Sequence, residues 1–596
     1  MRIALNAHRL FSLQSSPLPS FRPFKKLVNA SSSSFLSHSI SFTCRGGMST
    51  AASRPVVRVR ENIVLTDKEK QIFDRLLQVV RHFDLQTQLR VAGGWVRDKV
   101  ASLCPLLLVF SWDCPCSKVA NVTLLGKDCY DIDIAIDNML GKEFCEKVNE
   151  YLSSTGEEAQ GVGVIQCNPD QSKHLETARM RLYDLWIDFV NLRSEDYSEN
   201  SRIPTMRFGT AEEDAYRRDL TINSLFYNIN TSSIEDLTGR GIADLKSGKI
   251  VTPLPPRETF LDDPLRVLRA IRFGARFEFT LDLELKKAAA ADDVKAAIAE
   301  KISRERIGHE VDLMVSGNQP VKALACISDL TLFWIVFSLP PEVDPSTYQR
   351  ADRICVAYVD AAWKLMQLIG CSTFSDEARR LAMYAALLLP LSDTTYKDHK
   401  LKTVPVVNYI FRNSLKLKAS DAETVMNVHT ATKKFVSLIP FITSDDEDQQ
   451  VVEVDWGRGI LDVHVASKLR VLAGLLLREI KDFWRVALLA SVLLYPADID
   501  VTKNSSAEQL ELEKRKEVFA IIEEEITRLG LDRIWEMKPL LNGKEIMGVL
   551  QLKTGGPLVK EWQQKLLEWQ LAHPSATSDE CLDWMRQAYS KRARVE

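Results

Sequence analysis

Isoleucine and aspartate alternate from Asp131 to Asp137, and this pattern constrains the fold of the 596-residue chain more than any other. Side chains of a β-strand point alternately to its two faces, so the isoleucines would face a core while Asp131 and Asp133 lie together on the opposite face. Neighbouring carboxylates repel each other unless a cation lies between them, and proteins hold Mg²⁺ beside substrate phosphates with such oxygen ligands. The pattern therefore indicates either a metal-binding strand or an edge strand with a solvated polar face.

A double glycine follows an apolar, strand-like segment upstream of this pattern. Leu89–Ala92 leads into Gly93 and Gly94, and a helix is expected from there through Arg97. Glycine lets the backbone approach a phosphate closely, and Arg97 would add a charge-assisted contact. Together with the paired acids, this segment indicates a nucleoside triphosphate site. Alone, a double glycine is typical of an ordinary turn.

Two cations, an acid and an amide lie close together downstream, in the segment Arg217–Asn223. Arg218 would hold a phosphate, while Asp219 and Asn223 would bond a ribose hydroxyl. The alternative is the start of a helix, with Asp219 as its cap and Asn223 in solvent.

A further segment places arginines at three-residue steps after an acidic pair. Asp263 and Pro264 suit the N-cap and first turn of a helix. Arg266, Arg269 and Arg272 then form a polar stripe beside an apolar face. Alone, such a stripe is typical of a capped helix with a solvated basic face.

The order of these motifs resembles that of one family. Gly-Gly-x-Val-Arg-Asp, Asp-x-Asp, Arg-Arg-Asp-x-Thr-x-Asn, Asp-x-x-Gly (Asp236–Gly239) and Asp-Asp-x-x-Arg follow one another as in class II tRNA nucleotidyltransferases, the CCA-adding enzymes. The resemblance is strong over Arg90–Gly317, and with the N-terminus it points to a eukaryotic, plant-like member. It implies the addition of CTP, CTP and ATP to the 3′ end of tRNA without a nucleic-acid template.

The resemblance also implies roles for single residues. Asp131 and Asp133 match the catalytic, Mg²⁺-binding acids of the polymerase beta superfamily, in which two metals activate the attacking hydroxyl and neutralise the triphosphate. Asp188 is a candidate for a third acid on a neighbouring strand. The expected nucleotide-binding residues are Gly93, Gly94, Arg97, Arg218, Asp219, Asn223, Asp263, Arg266 and Arg269.

Hydrogen-bond chemistry supports the base-reading role that the resemblance gives to Asp263 and Arg266. Cytosine and adenine both present an amine donor beside a ring-nitrogen acceptor, so one carboxylate and one guanidinium fit both bases. Uracil and guanine reverse this pattern and leave charges unpaired, a mismatch on the scale of about 10⁴-fold rejection. The family's usual Glu-Asp-x-x-Arg here begins with Asp262, and we expect the base-reading pair to survive this change.

The expected fold class is α+β: a polymerase-beta-like nucleotidyltransferase head with a small mixed β-sheet, followed by an all-α neck, body and tail. The expected divisions are a transit peptide (1–60), the head (61–255), the neck (256–320), the body (321–480) and the tail (481–596). Strands are expected at Leu89–Ala92, Asp131–Ile136 and Leu185–Leu192. Expected helices include Thr66–Phe83, Leu285–Lys301, Lys468–Leu494 and Trp562–Trp569, the last with its tryptophans in a core.

Residues 100–123 depart from the family pattern. Family members place Lys99 and Leu124 almost side by side, whereas 24 residues rich in Leu, Val, Cys and Ser separate them here. Such a composition is expected of a translated, T-rich intron, so we hypothesise an alternative isoform or a gene-model error. Sequencing the transcript across the junction tests this hypothesis, because a spliced message joins Lys99 directly to Leu124. Cys104, Cys114, Cys116 and Cys129 are spaced too irregularly to predict a zinc site.

The first 60 residues contain nine Lys and Arg, many serines and no acid, which is typical of a mitochondrial or plastid transit peptide. A second start at Met48 would give a cytoplasmic or nuclear form. The remaining chain has 68 basic and 80 acidic residues, so binding of tRNA requires a locally basic face. Scattered cysteines fit a reducing compartment, and no apolar run approaches membrane-spanning length. We therefore expect tRNA, CTP and ATP as partners, and neither a membrane nor an obligate protein partner.

Two other functions fit the same residues. A poly(A) polymerase on the same scaffold would add a long A tract without C. A catalytically impaired RNA-binding isoform would result if residues 100–123 disabled the head. Comparing pyrophosphate release with and without this segment distinguishes an impaired isoform from an active enzyme.

Overall fold

The structure is a computed structural model that describes residues 57–60, 62–103, 132–165, 177–196, 205–343, 351–443, 465–495 and 505–592. Several predictions from the sequence fall outside the described residues: almost all of the transit peptide, Met48, Asp131, the four scattered cysteines and most of the segment 100–123.

A seven-stranded mixed sheet forms the head, in the order β11-β10-β2-β4-β7-β6-β5. β4 and β7 are parallel and the other neighbours in this sheet are antiparallel. The described strands are β1 (Val57–Val59), β2 (Leu89–Ala92), β3 (Ala101–Leu103), β4 (Ile132–Ile136), β5 (Val162–Ile165), β6 (Thr177–Leu182), β7 (Leu185–Asn191), β8 (Arg193–Asp196), β9 (Thr205–Phe208), β10 (Phe226–Asn228), β11 (Ser233–Glu235), β12 (Lys249–Ile250), β13 (Thr280–Leu281), β14 (Thr395–Lys397) and β15 (Thr403–Pro405).

Burial along β4 follows the alternation in the sequence. Ile132, Ile134 and Ile136 are almost fully buried, whereas Asp133 on the opposite face is only partly buried. The isoleucines join one apolar core with Leu76 and Phe144, which come from two helices that cover this face. The other face of the sheet carries Asp133, next to a small apolar cluster of Ala92, Ala135, Leu192, Ala215 and Phe226.

Helices dominate the chain after the sheet. They are α1 (Asp67–His82), α2 (Gly94–Val100), α3 (Gly141–Ser154), α4 (Ala211–Tyr216), α5 (Gly241–Ser247), α6 (Pro256–Asp262), α7 (Leu265–Phe277), α8 (Leu283–Ala289), α9 (Asp292–Lys301), α10 (Arg304–Val315), α11 (Pro320–Asp329), α12 (Phe333–Val336), α13 (Ala351–Ile369), α14 (Asp376–Leu388), α15 (Val406–Tyr409), α16 (Ala419–Ile442), α17 (Val465–Ile480), α18 (Trp484–Leu494), α19 (Ser505–Arg528), α20 (Gly543–Val549), α21 (Pro557–Ala572) and α22 (Ser578–Arg592). Short 3-10 helices lie at Thr221–Asn223, Cys371–Thr373, Leu389–Leu391, Lys481–Phe483 and Ile534–Glu536, and a π-helical turn at Ile410–Ser414.

The expected helices form, but two of them are divided. The helical character predicted for Leu285–Lys301 is confirmed, but as two helices: α8 ends at Ala289 and α9 begins at Asp292, since Asp292 and Asp293 favour a first helical turn. The range Lys468–Leu494 is also helical, divided between α17 and α18 at Lys481, which has a left-handed φ of 53°. The short pairs β12–β13 and β14–β15 were not expected in the helical region.

One apolar core runs from the sheet through the helices to Ala572, and a smaller core lies within residues 541–585. Trp562 and Trp569 are buried in the smaller core, as predicted. Within the described residues, no helix is both long enough and apolar enough to span a membrane. The α+β fold class predicted from the sequence is confirmed.

Candidate active site

The parallel pairing of β4 with β7 places two carboxylates side by side. Asp133 is the register partner of Asp188, and Arg179 on β6 is the next partner in the same row. Arg179 donates two hydrogen bonds to Asp188, from Nε to Oδ1 at 2.5 Å and from Nη2 to Oδ2 at 2.8 Å. We call Asp133, Asp188 and Arg179 the carboxylate row. Asp131 lies outside the described residues, and among those described no group of three His, Cys, Asp or Glu side chains is placed to hold a metal.

Gly93 makes the turn between β2 and α2. Its φ of 70° is left-handed, and an added Cβ would lie only 3.0 Å from Nη1 of Arg218, so both the backbone and the space favour glycine. Gly94 begins α2, where an added Cβ would meet Nη2 of Arg97 at 3.5 Å. The backbone of the turn therefore packs closely against two guanidinium groups.

A chain of buried hydrogen bonds leads from this turn to α7. Arg97 Nη1 donates to Asn223 Oδ1 at 2.5 Å, and Asn223 Nδ2 donates to Asp219 Oδ1 at 3.0 Å. Arg269 Nε, on α7, donates to Asp219 Oδ2 at 2.8 Å. We call these four residues the buried chain. Asn223 is only 7% exposed, so the alternative with this side chain in solvent was wrong.

The charges in the buried chain are balanced. Burial opposes ionisation of Asp219, but the positive charge of Arg269 and the hydrogen bonds outweigh it, so the pKa of Asp219 stays below its ordinary value. The Arg97 guanidinium lies over the ring of Phe277, with 4.6 Å between Cζ and the ring centroid. Arg97 thus stacks on α7, and Arg269 of α7 is linked to Arg97 through the hydrogen bonds of Asp219 and Asn223. Both contacts hold the glycine turn against α7.

Arg218 is oriented by an acid that sequence reasoning missed. Asp214, on α4, receives contacts from Nη2 of Arg217 at 2.7 Å and from Nη2 of Arg218 at 2.8 Å. Burial raises the pKa of Asp214, yet the two arginines more than compensate, and its pKa is lowered overall. The signal was present in the sequence, because Asp214 stands three and four residues before the arginines, the spacing of helical neighbours.

Asp263 lies at the break between α6 and α7. Its backbone is extended and Pro264 already has helical φ and ψ values, so the helix boundary places the N-cap at Pro264, one residue after the predicted Asp263. The Asp263 side chain still makes a capping hydrogen bond, because the backbone N–H of Leu265 donates to its Oδ1 at 3.3 Å. The carboxylate also accepts from Nη2 of Arg306, on α10, at 2.9 Å. Sequence reasoning missed Arg306.

Arg266 is buried at the side of the cleft. Its Nη2 donates to the carbonyl oxygen of Arg217 at 2.8 Å and lies 3.7 Å from Oε2 of Glu195 on β8. Asp263 is therefore held by a residue of α10, whereas Arg266 is held by residues of the head.

The arginine stripe on α7 is not a solvated basic face, so that alternative was wrong. Arg272 Nε donates to Glu310 Oε2 at 2.6 Å, and Arg269 Nη1 lies 3.9 Å from the other oxygen of Glu310. Arg266, Arg269 and Arg272 all line a cleft that lies over the face of the sheet that carries Asp133.

This cleft has a volume of about 640 Å³, within the range of small-molecule sites. It brings together Asp133 and all nine predicted nucleotide-binding residues. The lining residues are Ala92, Gly93, Gly94, Arg97, Asp133, Thr177, Val190, Asn191, Arg193, Glu195, Asp214, Arg217, Arg218, Asp219, Asn223, Asp263, Leu265, Arg266, Arg269, Arg272, Phe273, Arg276 and Arg306. Asp188 is not among them, although it adjoins Asp133.

A mixed sheet with an acidic strand, a glycine turn and an arginine-rich helix around one cleft defines a nucleotidyltransferase head joined to a helical body. Residues 122–251 match the family model described as the poly A polymerase head domain. The chain is 31% identical over 539 residues to a tRNA nucleotidyltransferase of Schizosaccharomyces pombe, covering 88% of this chain and 98% of that protein. It is 32% identical over 531 residues to the mitochondrial CCA tRNA nucleotidyltransferase of Saccharomyces cerevisiae, covering 84% and 87%. The chain belongs to the family of tRNA nucleotidyltransferases, the class II CCA-adding enzymes.

Solved structures show the same fold. An apo CCA-adding enzyme matches with a TM-score of 0.55 and 18% identity, covering 88% of this chain and 96% of that chain. The CCA-adding enzyme of Bacillus stearothermophilus in complex with CTP matches with a TM-score of 0.54 and 17% identity, covering 89% and 100%.

Proposed function

We propose that this protein completes the 3′ end of tRNA by adding C, C and A from CTP and ATP. The observation that carries the proposal is the cleft, where Asp133, the glycine turn and the pair Asp263 and Arg266 face one space large enough for a nucleotide. The relatives that match over most of their length are tRNA nucleotidyltransferases, which supports the same substrate.

Asp133 and Asp131 are the proposed catalytic carboxylates and Mg²⁺ ligands. Asp133 fits this role because it is only partly buried, faces the cleft and has the Asp188 carboxylate as its register neighbour, so hard oxygen donors are concentrated there. A bound Mg²⁺ supplies positive charge next to the triphosphate and the attacking hydroxyl. Asp188 is a weaker candidate, since Arg179 already occupies both of its oxygens.

The remaining site residues bind and orient the nucleotide. Gly93 and Gly94 let the backbone approach the phosphates, with Arg97 and Arg218 beside them. Asp219 holds Asn223 and Arg269 in place, and its remaining lone pairs are available to a ribose hydroxyl. In the reaction, the 3′ oxygen of the RNA forms a bond to the α-phosphorus while the bond to pyrophosphate breaks.

Base selection is assigned to Asp263 and Arg266. The carboxylate accepts from the exocyclic amine of C or A, and the guanidinium donates to the neighbouring ring nitrogen. Arg306 holds Asp263 and Glu195 lies beside Arg266, which limits the rotamers that these two side chains could adopt to accommodate a mismatched base.

The test is extension of tRNA that lacks its terminal residues, with each nucleotide supplied separately and together. We expect two C residues with CTP alone, CCA with CTP and ATP, and no extension with UTP or GTP. Asp133→Asn should abolish extension. Asp74→Asn is the matched control, because Asp74 is exposed on α1, a helix that covers the opposite face of the sheet. A long A tract without C would overturn the proposal in favour of a poly(A) polymerase, and binding of tRNA without any extension would favour the impaired RNA-binding isoform.

We also propose import into mitochondria. Two relatives are mitochondrial CCA tRNA nucleotidyltransferases, and the N-terminus of this chain is acid-free and serine-rich, which supports this location. Plastid import, and a cytoplasmic or nuclear form from Met48, are further parts of the proposal. Reporter fusions of residues 1–60 and 48–60 test them, and a cytoplasmic 1–60 fusion would contradict import.

A further inference from the structure

An exposed tryptophan stands on the face of the sheet that carries Asp133, outside the cleft. Trp186 on β7 is 51% exposed, whereas its neighbours Leu185 and Ile187 are buried on the core face. Exposing an indole to water is unfavourable, and an exposed tryptophan beside the proposed catalytic acids can bind a nucleic-acid base by stacking.

Strand geometry places Trp186 beside the carboxylate row. Trp186 and Asp188 are two residues apart and share a face, which separates their Cα atoms by about 7 Å. Asp133 is one strand further, so Trp186 and Asp133 are about 8 Å apart between Cα atoms. Val190, two residues beyond Asp188 on the same face, lines the nucleotide cleft. Trp186 and the cleft therefore lie on opposite sides of the carboxylate row.

The tryptophan lies beside two arginines of the β6–β7 hairpin. Its register partner across the sheet is Arg181, whose side chain is 54% exposed and whose Nη2 lies 3.3 Å from Oδ1 of the exposed Asp184. Tyr183 and Asp184 close the hairpin with φ values of 48° and 68°, the pattern of a tight two-residue turn. Arg179, in the next row, adds a second guanidinium, which is paired with Asp188. This end of the hairpin thus combines one exposed aromatic ring with an exposed guanidinium whose acidic partner is also in solvent.

We infer that Trp186 and Arg181 form the platform for the 3′ end of the RNA acceptor, with one of its last bases stacked on the indole and a phosphate beside Arg181. Single-stranded RNA is bound by this combination of aromatic stacking and cations. The attacking hydroxyl is in line with the bond to the leaving pyrophosphate and so approaches the α-phosphorus from the side away from pyrophosphate. Trp186 lies on the side of the carboxylate row away from the cleft and is placed to hold the strand that carries this hydroxyl. The inference rests on the proposed function and names a binding site for its acceptor strand.

The test compares kinetics with a direct signal of stacking. Trp186→Ala should raise KM for tRNA lacking CCA about 10-fold or more, with KM for CTP changed less than about 2-fold, because stacking of one base is on this scale. Trp186→Phe should restore most of the affinity, while Trp186→Leu should not. Arg181→Gln should weaken RNA binding and lower the slope of log K against log salt by about 0.7, the loss of one single-strand phosphate contact. Tyr183→Ala is the matched control, since Tyr183 lies under Arg75 of α1 on the other face.

An acceptor RNA with 2-aminopurine as its last base reports stacking independently of catalysis. Its fluorescence should be quenched by the wild-type protein and recover in Trp186→Ala, with unchanged thermal midpoints showing that the fold is intact. Unchanged KM and quenching in Trp186→Ala would overturn the inference, as would a change in oligomeric state alone, which would assign the face to a second copy. Neither result touches the proposed function, which fails only if the wild-type protein does not add CCA.

Discussion

The substitution Asp219→Asn tests the buried chain most sharply, because it keeps the shape of the side chain and removes its charge. Both Asp219 oxygens accept hydrogen bonds, one from Asn223 and one from Arg269. The asparagine amide has one acceptor and one donor end, so one of these two donors would face another N–H. Arg269 would keep only the distant contact with Glu310, at 3.9 Å.

The expected loss in the free energy of unfolding depends on how exposed Asp219 and Arg269 are. Breaking a fully buried ion pair costs about 3–5 kcal/mol, but Arg269 is 36% exposed against 9% for Asp219, which brings the expected loss to about 2 kcal/mol. That loss corresponds to about a 30-fold lower ratio of folded to unfolded protein. Since Asn223 positions Arg97, kcat/KM for CTP should fall as well.

Urea unfolding and steady-state kinetics measure the two effects. Asp244→Asn is the matched control: Asp244 is also buried, its side-chain oxygen can still accept from Thr221 as an amide, and its ion partner Arg240 is exposed and 3.8 Å away, so that pair contributes little. We expect it to lose less than about 1 kcal/mol. Equal stabilities for the wild type and Asp219→Asn, or equal losses for the two variants, would refute the reasoning from charge.

Three further results are expected. Burial lowers the pKa of His429 to about 4. Protonation of His429 in the unfolded chain should therefore lower the free energy of unfolding by about 1.4 kcal/mol at pH 5.5 relative to pH 7.5. His429→Gln should show a smaller fall in thermal midpoint between these pH values than the wild type, and an identical fall would contradict the role of His429. Gly93→Ala, with its left-handed φ and its approach to Arg218, should lose about 1–2 kcal/mol, while Gly94→Ala should be nearly neutral in a denaturant titration; equal losses would contradict the strain argument. Deletion of Val100–Thr123 should increase pyrophosphate release, and a fully active complete chain with an inactive deletion would disprove the hypothesis of a translated intron.

Local patterns predicted much of the head. The alternation in β4 predicted which face its isoleucines occupy, and α1 (Asp67–His82) forms within the predicted range Thr66–Phe83. The order of motifs identified the family before any contact was known. Side-chain partners distant in sequence were not predictable in this way, because no local spacing joins Arg306 to Asp263 or Glu310 to Arg272.

The start of the segment 100–123 could not be predicted from composition. We interpreted the whole segment as foreign to the family, yet Val100 is the buried last residue of α2, and Ala101–Leu103 pair with β1. A composition argument cannot detect such pairing, because three residues of strand carry no distinctive pattern. The bounds of neck, body and tail stay predictions, since one apolar core continues through all three.

We infer that Asp133, the described carboxylate on β4, is required for the transfer of nucleotides to RNA. The decisive measurement is single-turnover pyrophosphate release with saturating CTP and tRNA lacking CCA, for the wild type and Asp133→Asn. We expect the rate to fall about 10³-fold or more in the variant, with the affinity for tRNA changed by less than about 3-fold. A variant that keeps a tenth or more of the wild-type rate would contradict it.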